Sequence, residues 1–258
     1  MLVCIDIGNT NIKIGLFDGS QLQHHWRIAT DRARLADEYA MLLLNLFEAD
    51  EIKRETINGC VISSVVPSLA KEFADLSSRH LHQIPLVVGP GIQTGLPIHT
   101  DYPTEVGPDL IANAVAAKVL YGTPVIVVGL GTATTLSAIS TEGNFEGVAI
   151  APGIATSAES LFRFAASLPQ VALVRPPRAI GKNTVHSMQA GLLWGFAGLV
   201  KELVGRIQTE LGGHAHVVAT GGLARLVATD IDVIEAIEPD LTLIGLRLIY
   251  EMNKKPPQ

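Results

Sequence analysis

Positive charge, cysteine and long apolar runs are all scarce in this chain, and each scarcity excludes something. Lysine and arginine total 19 against 25 acidic residues, a formal charge of −6 with no basic block. Binding to nucleic acid or to an anionic membrane surface is therefore not expected. No apolar run approaches the length that spans a bilayer. The first residues lack a basic segment followed by a long apolar one, so no signal peptide is expected and the cytoplasm is the expected location. Only two cysteines occur, Cys4 and Cys60, both in apolar strand-like runs. They read as buried thiols of a reducing compartment. There is no Walker motif, no serine or cysteine nucleophile signature and no zinc-ligand spacing. What is present, in 258 residues, is 48% apolar and 17% charged. That is a globular composition, long enough for one large or two ordinary domains.

The periodicity has two similar halves. Leu2–Ile7, Asn11–Phe17 and Leu22–Ile28 read as strands, with Asp18-Gly19 as a turn. Leu35–Asp50 has apolar residues three and four apart and reads as an amphipathic helix. Strand Gly59–Val65, helix Pro67–Leu81 and strand Ile84–Val88 follow. This order implies a mixed sheet flanked by helices. Gly89–Gly107, rich in Gly, Pro and Thr, is expected to be a long functional loop, and Pro108–Gly122 a helix. The second half restarts with strands Val125–Gly129, Ala133–Ser140 and Phe145–Ala151. Helices Ile154–Ala166 and Val185–Leu211, strand His216–Ala219, a short helix and a final helix Pro239–Asn253 complete it. The expected domains are 1–117 and 118–258, packed around a cleft with no linker-like stretch between them.

Each half opens with a Gly-containing turn between two strands. In DIGNTN, Gly8 permits close backbone approach to an anion, and Asn9, Thr10 and Asn11 add neutral donors. Asp6 suits a hydrated Mg²⁺, which keeps several waters beside one or two carboxylates. Taken alone, this loop also reads as an ordinary hairpin turn. The second loop, GLGTATT (Gly129–Thr135), again offers glycines and threonines but no charge. Two such loops suit a cleft gripping a nucleotide's phosphates. TGG at Thr220–Gly222, after a strand and before a helix, suits an anion or an adenosine moiety. The GxG of the second loop is not a dinucleotide fingerprint, because a strand follows it.

Asp109 opens a helix, where the N-terminal dipole favours its carboxylate. It reads either as a helix cap or as a general base for a substrate hydroxyl that attacks a phosphate. Asp101 also reads as an exposed loop acid, and Tyr102 as a loop packing residue. Lys182 can steer an anionic substrate or simply sit on the surface. His214 and His216 resemble a metal pair but have no further ligands nearby, which favours a strand edge. Phosphoryl transfer without a covalent enzyme intermediate fits these residues best.

Over nearly its whole length the chain resembles type III pantothenate kinases, members of the acetate and sugar kinase/Hsc70/actin superfamily. The stretches that carry the resemblance include DIGNTNIKIGLFDG, HHWRIATDRARLADEYAMLL, ISSVVP, PLVVGPGIQTGL, EVGPDLIANAVAA, GTATT, IAPGI, IGKNTVHSMQAG and VIEAIEPDLTLIGLRLIYE. The resemblance implies an α/β fold of two actin-like (ribonuclease H-like) domains, each a mixed sheet flanked by helices. It also implies a homodimer and ATP-dependent phosphorylation of pantothenate to 4'-phosphopantothenate in coenzyme A biosynthesis. Mg²⁺ and a monovalent cation, K⁺ or NH₄⁺, are the implied ions. The implied ATP and phosphate contacts are Asp6, Gly8, Asn9, Thr10, Asn11, Lys13, Gly131, Thr132, Thr134 and Thr135, with Asp6 also at the Mg²⁺. Asp109 is the implied base. Gly107, Asp109 and, from the other subunit, Thr184 are the implied substrate contacts.

The chain departs from the family pattern at five places. Leu110 stands where an arginine usually contacts substrate, and Thr100 where a tyrosine usually does. Gly129 replaces the aspartate tied to the monovalent cation, Ser137 replaces a second aspartate, and Val148 replaces a glycine. Leucine at 110 has no guanidinium to bind a carboxylate bidentately. Glycine at 129 offers a cation no charged ligand. Three readings follow: a pantothenate kinase, an impaired subunit that lends Thr184 to an intact paralogue in a heteromer, or a non-catalytic nucleotide or metabolite sensor.

Overall fold

The computed structural model describes residues 1–228 and 231–254. The chain forms two compact units. The first holds Met1–Leu96, Asp101–Ala116 and the chain from Leu241 onward, and the second holds Pro97–Thr100 and Ala117–Asp240.

In the first unit, β1 (Leu2–Ile7), β2 (Asn11–Asp18), β3 (Gln21–Ala29), β4 (Gly59–Ser64) and β5 (Leu86–Val87) form one sheet of order β3-β2-β1-β4-β5. β1 and β2 pair antiparallel, as do β2 and β3, whereas β4 and β5 run parallel beside β1. Alternation in β1 and β2 sends Val3, Ile5, Ile7, Ile12, Ile14 and Leu16 to one face. There they meet Tyr39, Leu43 and Phe47 of α1 (Ala36–Ala49) and Leu69, Phe73 and Leu76 of α2 (Pro67–Leu76). The helix expected to run to Leu81 changes at Ser77 into a wider turn, which stops at His82 in the left-handed region (φ 56°). Cys4 and Cys60 are free and buried, and burial raises both thiols, Cys60 up to about 12, which disfavours the reactive thiolate.

The second unit repeats the pattern. β6 (Val125–Leu130), β7 (Ala133–Ile139), β8 (Phe145–Pro152), β9 (His216–Thr220) and β10 (Ala236–Ile237) take the order β10-β9-β6-β7-β8. β6-β7 and β7-β8 are antiparallel, and β9 and β10 lie parallel to β6. Within α3 (Pro108–Tyr121), after Ala116, the chain passes from one unit to the other. α4 (Ile154–Phe164), α5 (Thr184–Glu210) and α6 (Ala224–Val227) follow. Leu192, Leu193, Phe196, Val200 and Val204 of α5 pack on Ile126, Val128, Leu130 and Leu136. β10 has no counterpart among the expected strands, because two residues are too few to show alternation.

Packing assigns the last helix, α7 (Leu241–Asn253), to the first unit, whereas the sequence boundary ran the second domain on to 258. Residues 255–258 of that expected range lie outside the described residues. The reason is a close helix approach. A Cβ on Gly245 would collide with the Ala112 carbonyl of α3, and Thr242 donates to Asn113 Oδ1 at 2.8 Å. Leu243 reaches Gly15 of β2, and the Arg247 guanidinium lies 5.8 Å from the Phe17 ring centre. No described helix is long and apolar enough to cross a membrane.

Candidate active site

The first unit gathers three ionisable groups. Asp6, one residue before the end of β1, is buried, and Lys13 on β2 lies opposite it in register. Ser63 on β4, its parallel neighbour, donates from Oγ to Asp6 Oδ1 at 2.7 Å. Burial raises the Asp6 carboxyl above its ordinary range, while Lys13 and the Ser63 hydrogen bond oppose that shift. Asp109, in the first turn of α3, feels both groups. Burial first and the Asp6 charge second push its carboxyl up to about 6. The backbone N–H groups of Leu110 and Asp109, then Lys13, pull the other way. A carboxyl poised near neutrality beside a second carboxylate is suited to accept a proton.

Gly107 is explained by Asp109. A Cβ at 107 would lie 2.6 Å from Asp109 Oδ1, so the absent side chain makes the space that the carboxylate fills. Leu110 follows on the same helix and brings no charge to the site.

The first loop is held from outside by residues that the sequence reading missed. Thr30 donates from Oγ1 to the Gly8 carbonyl at 2.7 Å, and its backbone N–H donates to Thr10 at 3.0 Å. Arg32 Nη2 donates to Asn9 Oδ1 at 3.0 Å, placing a cation beside the loop. Ser63 was missed as well. Their only trace in the sequence is a polar run within stretches shared with the family. Gly8 closes the turn by donating to the Asn11 carbonyl at 3.0 Å, and Asn9, Thr10 and Asn11 are exposed at its tip.

The second loop stands within the second unit. Gly131 and Thr132 are exposed, and the Thr132 carbonyl accepts from Gly153 N–H at 3.1 Å and Thr156 Oγ1 at 2.7 Å. Thr134, expected as a phosphate donor, is turned inward. It is fully buried, and its hydroxyl donates to the Pro152 carbonyl at 3.3 Å. Alternation along β7 is the cause: Thr134 and Leu136 take the buried face, and Thr135 the other. Gly129 lies opposite Thr135 on β7 and Thr220 on β9. Ser137 and Val148, two of the departures, are cross-strand partners of each other.

The remaining candidates separate from these clusters. Thr184 is exposed at the first turn of α5, behind the Asn183 cap that accepts from His186 N–H at 2.8 Å. Lys182 and Asp101 are exposed. Tyr102 is 68% exposed rather than packed. Thr100 Oγ1 is buried with no hydrogen-bond partner among the described residues. His216 starts β9 and pairs with Glu235 at 2.6 Å.

The sequence model of the family described as type III pantothenate kinase matches residues 2–206. The chain belongs to the type III pantothenate kinase family. It is 55% identical over 254 residues to the type III pantothenate kinase of Roseiflexus sp. (strain RS-1), covering 98% of this chain and all of that one. The type III pantothenate kinase of Moorella thermoacetica is 51% identical over 253 residues, again 98% of this chain and the whole relative. Likeness of fold extends further. The activator of the 2-hydroxyisocaproyl-CoA dehydratase from Clostridium difficile matches all of this chain and 99% of its own, at a TM-score of 0.55 and 13% identity. Two mixed sheets with helices on their faces are thus a fold shared with that activator, in keeping with the α/β fold that the family resemblance implied.

Proposed function

We propose that this chain phosphorylates pantothenate with ATP, the committed chemistry of a type III pantothenate kinase in coenzyme A biosynthesis, and does so in the cytoplasm. The observation that carries the mechanism is the Asp109 carboxyl, held at a helix start, pushed up to about 6, and given its space by Gly107. At neutral pH it is mostly ionised and ready to take the proton of the pantothenate hydroxyl. That oxygen attacks the γ-phosphorus, and ADP leaves.

Lys13, Arg32 and the first loop supply the positive charge and donors that an overall acidic chain must concentrate locally. Asp6, Gly8, Asn9, Thr10 and Asn11 from the first unit and Gly131, Thr132 and Thr135 from the second are the proposed nucleotide contacts. Oxygen-only donors at Asp6, with Asp109 close enough to feel its charge, fit a hard divalent cation such as Mg²⁺. When bound, that ion neutralises phosphate charge. Gly107 and Thr184 are the proposed pantothenate contacts, with Thr184 serving a second copy of the chain. Exposed apolar residues in the second unit support such a homodimer: Ile150, Phe162, Phe164, Val174, Ile180 and Val185.

ADP release by the purified chain, measured with and without pantothenate, tests the reading. Pantothenate-dependent turnover that disappears in Asp109→Asn supports it. ATP binding without turnover overturns it. The missing carboxylate at Gly129 and the apolar Leu110 favour a second reading, an impaired subunit of a heteromer. In that case the chain alone is silent, and turnover returns on mixing with a paralogue that carries the aspartate and arginine.

A further inference from the structure

The two sheets repeat one register, so a residue in the first has a counterpart in the second. Asp6 lies between Lys13 and Ser63, and Gly129 lies between Thr135 and Thr220. In the first sheet the hydroxyl on the parallel neighbour is satisfied, because Ser63 donates to Asp6. In the second, Thr220 is 2% exposed, and its Oγ1 is buried with no hydrogen-bond partner among the described residues. Buried hydroxyls normally find a partner, so an orphan asks for a cause. Gly129, its neighbour in register, carries no side chain to accept from it. The side chain that would play the part of Asp6 is absent.

The Thr135 hydroxyl now takes up part of the space such a side chain would need, and must turn about χ1 to admit one. A Cβ built on Gly129 would lie 2.5 Å from Thr135 Oγ1, and its next neighbours are Thr135 Cβ at 3.8 Å and the Thr135 carbonyl at 3.9 Å. The one tight contact is thus with the end of a rotatable side chain, not with backbone. Beside Gly129 in register stand two hydroxyl side chains and no charge, at the place where the family resemblance puts a cation-holding aspartate. This donor set does not fit a monovalent cation held by one main anionic ligand. Neutral hydroxyls compensate less of the hydration that the ion gives up.

We infer that the second loop of this chain handles its phosphate without a monovalent cation, and that Gly129 alone is the residue responsible. The inference rests on reading Gly131–Thr135 as a phosphate loop. Its structural part, a vacated carboxylate position beside an orphaned Thr220, stands independently of that reading.

The test uses the full chain, Gly129→Asp and Gly129→Asn, in potassium nitrate and in tetramethylammonium nitrate at equal ionic strength. Calorimetry reads the ATP dissociation constant, and titration with thallium(I), a potassium surrogate, reads cation binding directly. For the parent chain, the ATP constant should differ less than about twofold between salts, with no saturable thallium(I) site. Gly129→Asp should gain such a site and bind ATP roughly tenfold tighter in potassium than in tetramethylammonium. Gly129→Asn offers Thr220 a partner without charge, so it should melt higher than the parent and remain indifferent to the salt. A saturable thallium(I) site in the parent, or a tenfold salt effect on its ATP constant, overturns the inference. So does a folded Gly129→Asp that binds no cation. Should that variant fail to fold, the two parent measurements decide. If ATP binds in neither salt, the phosphate-loop reading fails, and the thallium(I) titration still settles the cation inference.

Discussion

Gly107 and Asp109 share one small space: the carboxylate oxygen Oδ1 lies 2.6 Å from where a Cβ on residue 107 would sit. Glycine at 107 is therefore a positioning residue for the proposed base. Gly107→Ala should displace the carboxylate and lower kcat/KM roughly a hundredfold. Steady-state kinetics beside a thermal melt would check this, with little change expected in the melting temperature.

Asp109→Asn separates catalysis from stability. Turnover should fall roughly a hundred- to ten-thousand-fold. Stability should move the other way. The folded carboxyl titrates near 6 against an ordinary 3.8, so the folded chain holds more protons than the unfolded one between those values. Stability contributed by this group is therefore lost as pH rises from roughly 4 to 6. The asparagine variant should be about 1–2 kcal/mol more stable than the parent at pH 7, after discounting for partial exposure, and should show no advantage near pH 4. Chemical denaturation at both pH values reads this directly.

The charge of Asp6 raises the Asp109 carboxyl, so neutralising the first should lower the second. In the nucleotide-free Asp6→Asn chain, carbon-detected NMR titration should show Asp109 ionising at a lower pH than in the parent. An unchanged midpoint would mean that burial alone sets the value.

Ser63→Ala removes the hydrogen bond that favours the charged form of Asp6. The buried carboxylate then loses its donor, which should cost about 1–3 kcal/mol of stability at neutral pH. Thr220→Val is the opposite experiment in the second sheet. It replaces an unpartnered hydroxyl with a methyl of similar volume, so the chain should gain about 1 kcal/mol. Calorimetric melts of the two variants should shift in opposite directions.

Much of this fold was legible in the residues themselves. Short apolar, β-branched runs bounded by turn residues marked β1, β2, β6, β7 and β8, and the 3.6-residue period marked α1, because both signals are local. Two Gly/Thr loops after apolar strands, and an aspartate at a helix start, drew attention to the residues now proposed to bind phosphate and move a proton. Residues far apart in the chain were not legible in the same way. Ser63 meets Asp6 across 57 positions, and nothing near either residue announces the bond. Thr30 and Arg32 brace the first loop from the far end of β3. Thr134 looked like a donor from its neighbours in GTATT, yet strand alternation turned it inward.

The sequence by itself determined most of the strands and helices, β10 excepted, the repeated opening of the two halves, and the family to which the chain belongs. Only the tertiary structure decided that α7 closes back on the first unit, because Gly245 admits the Ala112 carbonyl and Thr242 finds Asn113. It also decided what the glycine at 129 leaves behind. A missing side chain has no signature of its own in a sequence; in the fold, its neighbour in register is a buried threonine hydroxyl 91 positions away (220 − 129), with no hydrogen-bond partner among the described residues. Hydrogen-bond satisfaction is a property of the packed chain, and the packed chain is where the charge difference between the two loops acquires a physical consequence.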